Sequence, residues 1–369
     1  MNKVLFFALA KHQRLYFQRL LDETTLEGKV VIPAQMPWPR PWQLPRVIPC
    51  INWVQLIEEK CHERRVKRKY EGGLYKLLLR LELAWMALRV HALLLREKPA
   101  NVAMWNGSHR YCQLLLALLP QDCQTFFFEN GLLPNTTTLD TKGVNFRNSV
   151  PRDAAFFRDY QAPKGGGGAE QALVPRKPRN AGLPVIELPE GFIFIPFQDD
   201  RDTQVRLFSP WVADMRQLFA LGERLAAETG VTVVFKEHPV SRESYPDLHA
   251  RSNQRLLFAN GNNTQALIQA SQFVITLNST VGLESILLGK PVLTLGQAFF
   301  NIPGLVSHAD SADELIAQAR AFPDWSLDER IRENFLRYMA GEYCVEGGWL
   351  NADLAQLQRV ANRMQRLGR

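Results

Sequence analysis

Three short stretches in the second half of this chain combine side chains able to do chemistry at strand ends, two of them suited to a phosphate or an anionic leaving group. Phe235-Lys236-Glu237-His238-Pro239 follows an apolar run, and in an extended segment Lys236 and His238 project to the same side. A cation beside an imidazole suits a phosphate; a solvated lysine and a structural histidine at a strand end account for the pair equally well. Thr276-Leu277-Asn278-Ser279-Thr280-Val281-Gly282-Leu283-Glu284 reads as a strand entering a hydroxyl-rich turn that opens a helix. The first N–H groups of such a helix lack intrahelical acceptors and carry the positive end of its dipole, so the turn can cradle a phosphate. Ser279 and Thr280 add hydroxyl donors, and Glu284, one turn in, can accept ribose hydroxyls. Plain N-capping is the commoner use of Ser and Thr there. The coincidence with Lys-x-His-Pro in one domain raises the phosphate reading.

The third stretch, Pro196-Phe197-Gln198-Asp199-Asp200-Arg201-Asp202-Thr203-Gln204, sets three carboxylates and two amides at a strand end. Carboxylates so placed serve as metal ligands, nucleophiles or general bases, or form an exposed acidic loop with Asx-turns. Arg201 between Asp200 and Asp202 opposes a divalent cation, which favours a metal-free role. In the first half, Phe126-Phe127-Phe128-Glu129-Asn130-Gly131 places a carboxylate after three aromatic residues, where partial desolvation raises a pKa toward general-acid use. Trp105-Asn106-Gly107 repeats the pattern of a strand ending in a polar turn. Pro134 to Asn145 reads as a long polar loop whose hydroxyls and amides suit sugar recognition, although Asn/Thr/Gly loops are common in any protein.

Elements to position these residues are legible along the chain. Lys3–Ala10, Lys29–Pro33, Val102–Trp105 and Thr125–Glu129 read as strands, with helical spacing over His12–Leu21 and over Ile51–Glu97, interrupted at Gly72-Gly73. The continuous apolar character of Lys3–Ala10 is that of a parallel strand covered on both faces. A Pro/Trp-rich loop, Pro37-Trp38-Pro39-Arg40-Pro41-Trp42, precedes a basic run, Arg64-Arg65-Val66-Lys67-Arg68-Lys69. Past a Gly165–Gly168 run, strands are expected at Gly191–Pro196, Val231–Lys236, Leu256–Phe258, Phe273–Thr276 and Pro291–Leu295, with helices at Pro210–Thr229 and Gly282–Leu288. Beyond Asp328 the chain reads as helical to its end, a tail able to pack back across both domains.

With 369 residues, the chain has length for about two domains. The 46% hydrophobic and 22% charged content excludes a disordered chain, and 23 Gly without a period excludes a collagen-like one. A net charge of +7 and a pI near 9.2 favour polyanionic partners such as nucleotides, phospholipid or phosphorylated glycans. No nucleic-acid module is recognisable. The five cysteines fit no metal or disulfide pattern and imply buried thiols in a reducing compartment. Val4–Ala10 is too short and too soon followed by Lys11 and Arg14 for a signal peptide. No run approaches the ~18 apolar residues of a membrane span, so a cytoplasmic chain, soluble or surface-associated, is expected.

In order and spacing, Glu129-Asn130-Gly131, Gly143-Val144-Asn145, Gln198 to Gln204, Lys236 to Pro239 and Ser279 to Glu284 resemble the bacterial retaining β-Kdo glycosyltransferases of capsule and O-antigen assembly. Lys-x-His-Pro followed by Ser-Thr also looks like the nucleotide site of CMP-sugar transferases. The resemblance implies an α/β protein with two facing Rossmann-like domains (GT-B-like) and a C-terminal helical tail crossing back. It implies an acceptor-binding domain over 1–162, a linker over 163–190, a CMP-Kdo domain over 191–330 and C-terminal helices over 331–369. The implied donor is CMP-Kdo, and the acceptor a glycan, free or lipid-linked, at the inner face of the inner membrane. No cofactor or metal is implied. Asp202 maps to the nucleophile, with Asp199 or Asp200 as fallback, and Glu129 to the acid/base. Lys236, His238, Ser279 and Thr280 map to the CMP phosphate and Glu284 to its ribose; Gln198, Gln204, Asn130 and Asn145 complete the implied donor site. Residues 1–100 and the Gly165–Gly168 run have no counterpart in the resemblance. An inverting CMP-sialic-acid-type transferase and a non-catalytic carbohydrate- or lipid-binding assembly protein are the alternatives. The second would use the basic run beside the Leu-rich helix, for which a solvated helix face is the simpler account.

Overall fold

The computed structural model describes residues 3–67, 69–162, 182–239, 241 and 243–368. The Gly165–Gly168 run, most of the expected linker, and Arg68 of the basic run lie outside the described residues. The chain divides into one unit of Met1–Ser149 with Tyr343–Arg369 and a second of Val150–Glu342.

The first unit alternates strand and helix. Its strands are β1 (Val4–Phe7), β2 (Gly28–Val31), β3 (Asn101–Trp105), β4 (Gln124–Asn130) and β5 (Thr136–Asp140). β1 pairs in parallel with β2 and β3, and β3 with β4, as continuous apolar strands predict. Because side chains alternate, Leu5 and Phe7 face the helices Trp53–Val66, Gly73–Glu97 and Arg110–Leu118. Val4 and Phe6 face the opposite layer, Lys11–Glu23 and the terminal helix Leu354–Leu367. Phe126 and Phe128 join that second layer while Phe127 joins the first, so the triple phenylalanine serves both cores at once.

Two features differ from the sequence reading. The stretch from Pro134 to Asn145 is not one polar loop: Thr136–Asp140 forms the fully buried strand β5, antiparallel to β4. Threonine is β-branched and tolerates a buried strand when its hydroxyl finds an acceptor. Here Thr136, Thr137 and Thr138 donate to the carbonyls of Leu133 (2.7 Å), Gly347 (2.7 Å) and Asn130 (3.0 Å). Nor is the tail wholly helical, for Val345–Glu346 makes a short strand antiparallel to β5 at the edge of the first sheet.

The second unit holds six strands in parallel pairing. They are Ile193–Pro196, Val233–Lys236, Leu256–Phe258, Val274–Thr276, Val292–Thr294 and Ser307–His308, designated β6 to β11 in that order. The spatial order is β11-β10-β9-β6-β7-β8. Helices Met215–Thr229 and Ala312–Ala321 pack on one face over Ile193, Ile195, Phe235 and Ile275. Leu267 and Ile268 of the helix Thr264–Ala270 cover Phe194, Val234 and Val274 on the other. The helix Ala154–Asp159, expected in the first domain, packs in this unit. Phe157 is enclosed by Phe335 and Tyr338 of the helix Glu329–Tyr338, and Asn334 donates to its carbonyl at 2.8 Å. Ile186, from the expected linker, is held by the Asn262 side chain, which accepts its N–H at 3.0 Å and donates to its carbonyl at 2.9 Å.

One buried carboxylate shapes the loop after β5. Asp140 accepts from the amides of Lys142 (2.7 Å), Gly143 (3.3 Å) and Ser149 (2.7 Å), from the Ser149 hydroxyl (2.8 Å) and from the Tyr343 hydroxyl (2.8 Å). Burial and the adjoining carboxylate push Tyr343 well above the usual tyrosine range, so it stays a protonated donor. Tyr343→Phe removes one of five donors from a buried charge. The expected cost is about 1 kcal/mol, a fall of roughly 2–4 °C in the melting temperature, checked by calorimetry; an unchanged transition would show that this bond adds nothing.

Candidate functional site residues at the carboxyl ends of each sheet

In the second unit all three motifs emerge at the carboxyl ends of neighbouring parallel strands: Gln198–Gln204 after β6, Lys236–Pro239 after β7 and Asn278–Glu284 after β9. The chain winds outward from β6 to β7 and β8, then returns to place β9 on the other side of β6. Such a reversal of strand order opens a crevice outside the carboxyl ends, where open α/β sheets bind ligands.

The crevice walls are joined by a buried amide pair. Gln198 donates through Nε2 to Asn278 Oδ1 at 3.0 Å, and its Oε1 accepts the Asn278 N–H at 3.3 Å. Asn278 Nδ2 also reaches the carbonyls of Gln204 (3.0 Å), Phe208 (3.1 Å) and Gln297 (3.4 Å), while Gln204 Nε2 donates to the Asn278 carbonyl at 3.4 Å. Gln198, Gln204 and the turn after β9 are thereby brought together, with the two glutamines engaged in fixing the turn. In the sequence Asn278 is one polar residue among several, and its place at the end of an apolar strand is its one distinguishing signal.

Ser279 caps the helix Thr280–Leu287, its Oγ accepting the Val281 N–H at 3.1 Å. Thr280 and Glu284 are half-buried on its first turn. Gly282 lets that turn approach the sheet, since a Cβ there would lie 2.9 Å from the Phe300 ring and 3.1 Å from the Thr276 methyl.

Lys236 is more deeply committed than the sequence suggested. It is buried, and its Nζ donates to the carbonyls of Asn260 (2.8 Å) and Asn262 (2.6 Å), using two of its three donors to hold the loop after β8. Burial lowers its pKa below the ordinary lysine range. Glu237 turns to His249 at 2.6 Å, and that imidazole stacks on Phe258 at 4.0 Å. His238 stands half-buried two residues beyond β7.

The three aspartates after β6 have distinct surroundings. Asp199 Oδ1 accepts the Arg201 N–H at 3.0 Å, an Asx-turn. Asp200 accepts from the Met215 amide (2.9 Å) and the Tyr245 hydroxyl (3.0 Å), anchoring the helix Met215–Thr229, and burial raises its pKa. Asp202 is exposed and caps the helix Thr203–Phe208, both of its bonds ending on Oδ1. Arg201 pairs with Glu243 at 2.8 Å. Among the described residues no group of three or more His, Cys, Asp or Glu stands where it could hold a metal ion.

In the first unit, β3 and β4 end side by side. Glu129 is half-buried; Asn106 Nδ2 donates to its Oε2 at 2.5 Å and the Asn130 N–H to its Oε1 at 2.8 Å. Asn106 holds this pose in a left-handed backbone conformation, φ +60°, which non-glycine residues adopt mainly where the surroundings demand it. The exposed Asn130 accepts from Trp349 Nε1 at 2.7 Å, and the Trp349 ring meets Trp105 at 4.4 Å and His12 at 5.4 Å. Trp349 comes from the tail, remote in sequence, so nothing local placed it on Asn130. Asn145 lies past β5; because β5 runs antiparallel to β4, it carries the chain back from Asn130 toward Phe127 before the loop that holds Asn145.

Residues 185–344 match the family model of capsule polysaccharide biosynthesis proteins. That span contains all three motif loops of the second unit. Protein FixF of Sinorhizobium fredii is 37% identical over 264 residues, which are 70% of this chain and 63% of FixF; the match thus spans less than two thirds of that relative's length. Two solved structures of Thermosulfurimonas dismutans KpsC share the fold. The one described as a beta Kdo 2,7 transferase has a TM-score of 0.53 and 12% identity over 97% of this chain and 99% of its own. The other, described as a beta Kdo 2,4 transferase, has a TM-score of 0.52 and 15% identity over 100% and 98%. The fold is GT-B-like, with two Rossmann-like domains.

Lys236→Met leaves the carbonyls of Asn260 and Asn262, one half-buried and one buried, without this donor. We expect a loss of about 2 kcal/mol, or roughly 4–8 °C in melting temperature. Calorimetry with and without CMP separates two roles: a purely structural lysine leaves the CMP-induced shift intact, and a phosphate ligand does not.

Proposed function

We propose that this chain is a glycosyltransferase that moves Kdo from CMP-Kdo onto a glycan acceptor in surface polysaccharide assembly, O-antigen or capsule, retaining configuration through a covalent aspartyl adduct. The observation that carries the reading is the convergence of the three motif loops at the strand-order reversal of the second sheet, inside the stretch that matches the capsule family. The KpsC likeness supports it at the level of fold.

In this reading the Ser279–Thr280 turn and His238 receive the CMP phosphate, the third donor of Lys236 adds to them, and Glu284 accepts the ribose hydroxyls. A single phosphate needs no bridging metal when an imidazole and a helix N-terminus face it. An oxygen of Asp202 attacks the anomeric carbon, and the bond to the phosphate oxygen breaks with its electron pair leaving on CMP. The acceptor hydroxyl then attacks the same carbon, the aspartyl C–O bond breaks, and the hydroxyl proton passes to Glu129. The oxocarbenium-like transition state gains from the nearby anions. Asn106 and Asn130 orient the Glu129 carboxylate, while Gln198, Gln204 and Asn278 hold the donor loops in place. Asn145 completes the donor contacts.

The test is CMP release from CMP-Kdo on addition of acceptor glycan, with CMP-sialic acid as the competing donor. Turnover of the sialic acid donor alone would replace the Kdo assignment. Asp202→Asn keeps a good helix cap, so the fold should hold while kcat falls at least about 10³-fold and CMP affinity is unchanged. If it transfers at the normal rate while Asp199→Asn or Asp200→Asn does not, the nucleophile is the other aspartate. Glu129→Gln incubated with donor should show the chain mass plus one Kdo; an unmodified mass argues against the covalent route. His238→Ala should weaken CMP binding about tenfold, measured by calorimetric titration.

A further inference from the structure

The helix Gly73–Glu97 is apolar on two opposite sides. Leu79, Leu83, Met86, Val90 and Leu93 enter the core of the first unit. Leu74, Leu77, Leu78, Leu81 and Trp85 fall at i, i+3, i+4, i+7 and i+11, one stripe of an α-helix, and are 65%, 53%, 56%, 60% and 48% exposed. The stripe continues onto the Pro/Trp loop. Trp38 meets the Trp85 ring edge-on at 6.2 Å and is 81% exposed, and Trp42 is 75% exposed. Arg89 fixes the loop there by donating to the carbonyls of Met36 (2.8 Å) and Pro37 (3.1 Å). Contiguous apolar surface of this extent marks an interaction site.

Charge identifies the partner. Residues 37–98 contain 13 Lys and Arg against 6 Asp and Glu, and this surplus equals the +7 of the whole chain, so the remaining residues are balanced. Arg40, Arg46, Lys69 and Arg80 in this segment are exposed. A second copy of the chain would bring one cationic surface against another. An anionic lipid surface instead offers phosphates to the cations and an acyl boundary to the tryptophans and leucines. Among the described residues no helix is long and apolar enough to cross a membrane.

We propose that this face of the first unit docks onto an anionic phospholipid surface, the Trp38–Trp85 pair and the leucine stripe entering the headgroup boundary with the basic side chains around them. The inference stands apart from the transferase reading, because vesicle binding is measured without donor or acceptor. In flotation assays the full chain should bind phosphatidylglycerol vesicles at least about tenfold better than phosphatidylcholine vesicles, with the preference declining as salt is raised. Leu77→Ser/Leu81→Ser alters exposed positions and should keep the melting transition while reducing binding to phosphatidylglycerol vesicles about tenfold or more. Arg80→Glu/Lys69→Glu should remove the lipid preference. Equal binding to both vesicles, no binding, or an unchanged double-serine variant overturns the proposal. So does a dimer in gel filtration that Leu77→Ser/Leu81→Ser dissolves without any effect on vesicle binding, which would make the face a self-interface.

Discussion

The buried amide of Asn278 is the contact on which the second unit's candidate site depends. With Gln198 it bridges the ends of two adjacent parallel strands, and through Nδ2 it gathers carbonyls from the segments after β6 and β10. A buried amide is costly unless each of its groups is partnered, and once partnered it permits a single arrangement. Three loops that would otherwise move independently are thereby held in register at the point where strand order reverses. Ser279 and Thr280, the next two residues, inherit that rigidity.

The first unit reaches a similar end with a different device. Its sheet stops being parallel after β4, because the chain turns at Gly131 directly into β5. A Cβ on Gly131 would lie 2.2 Å from the Thr136 carbonyl oxygen, so the turn closes only with glycine. This tight reversal leaves Glu129 and Asn130 at the sheet's edge, where Asn106 and Trp349 hold them. The same reversal sends Asp140 inward, and its five donors bind the following loop and the tail to one carboxylate. The carboxyl edge of this sheet is thus polar by construction, and Trp349, which donates to Asn130, packs its ring against Trp105 and His12.

Charge is segregated along the chain rather than spread over it. The basic surplus lies in the helical excursion between β2 and β3, outside the segments of the sequence that form the strand-end loops. The strand-end loops of the second unit carry local polar groups: the N-terminus of the helix Thr280–Leu287, the His238 imidazole and the partly committed Lys236.

The amino-acid sequence by itself determined the α/β winding, since continuous apolar runs must be covered on both faces, and it determined that the polar motifs fall at strand ends. Glycine interruptions and apolar periodicity were enough to mark Gly72-Gly73 as the break between two helices. Tertiary structure alone decided the rest. Thr136–Asp140 looks like a loop by composition, and becomes a strand because carbonyls from Leu133, Asn130 and the distant Gly347 satisfy its hydroxyls. Lys236 looks like a free cation, and is drawn onto two carbonyls by a loop more than twenty residues away. Trp349 and Tyr343 acquire their roles only when the tail returns to the first sheet. Local pattern sets what a segment can bury; which polar groups find partners is a matter of long-range contact, and here that matter decided which candidate residues position the site and which face it.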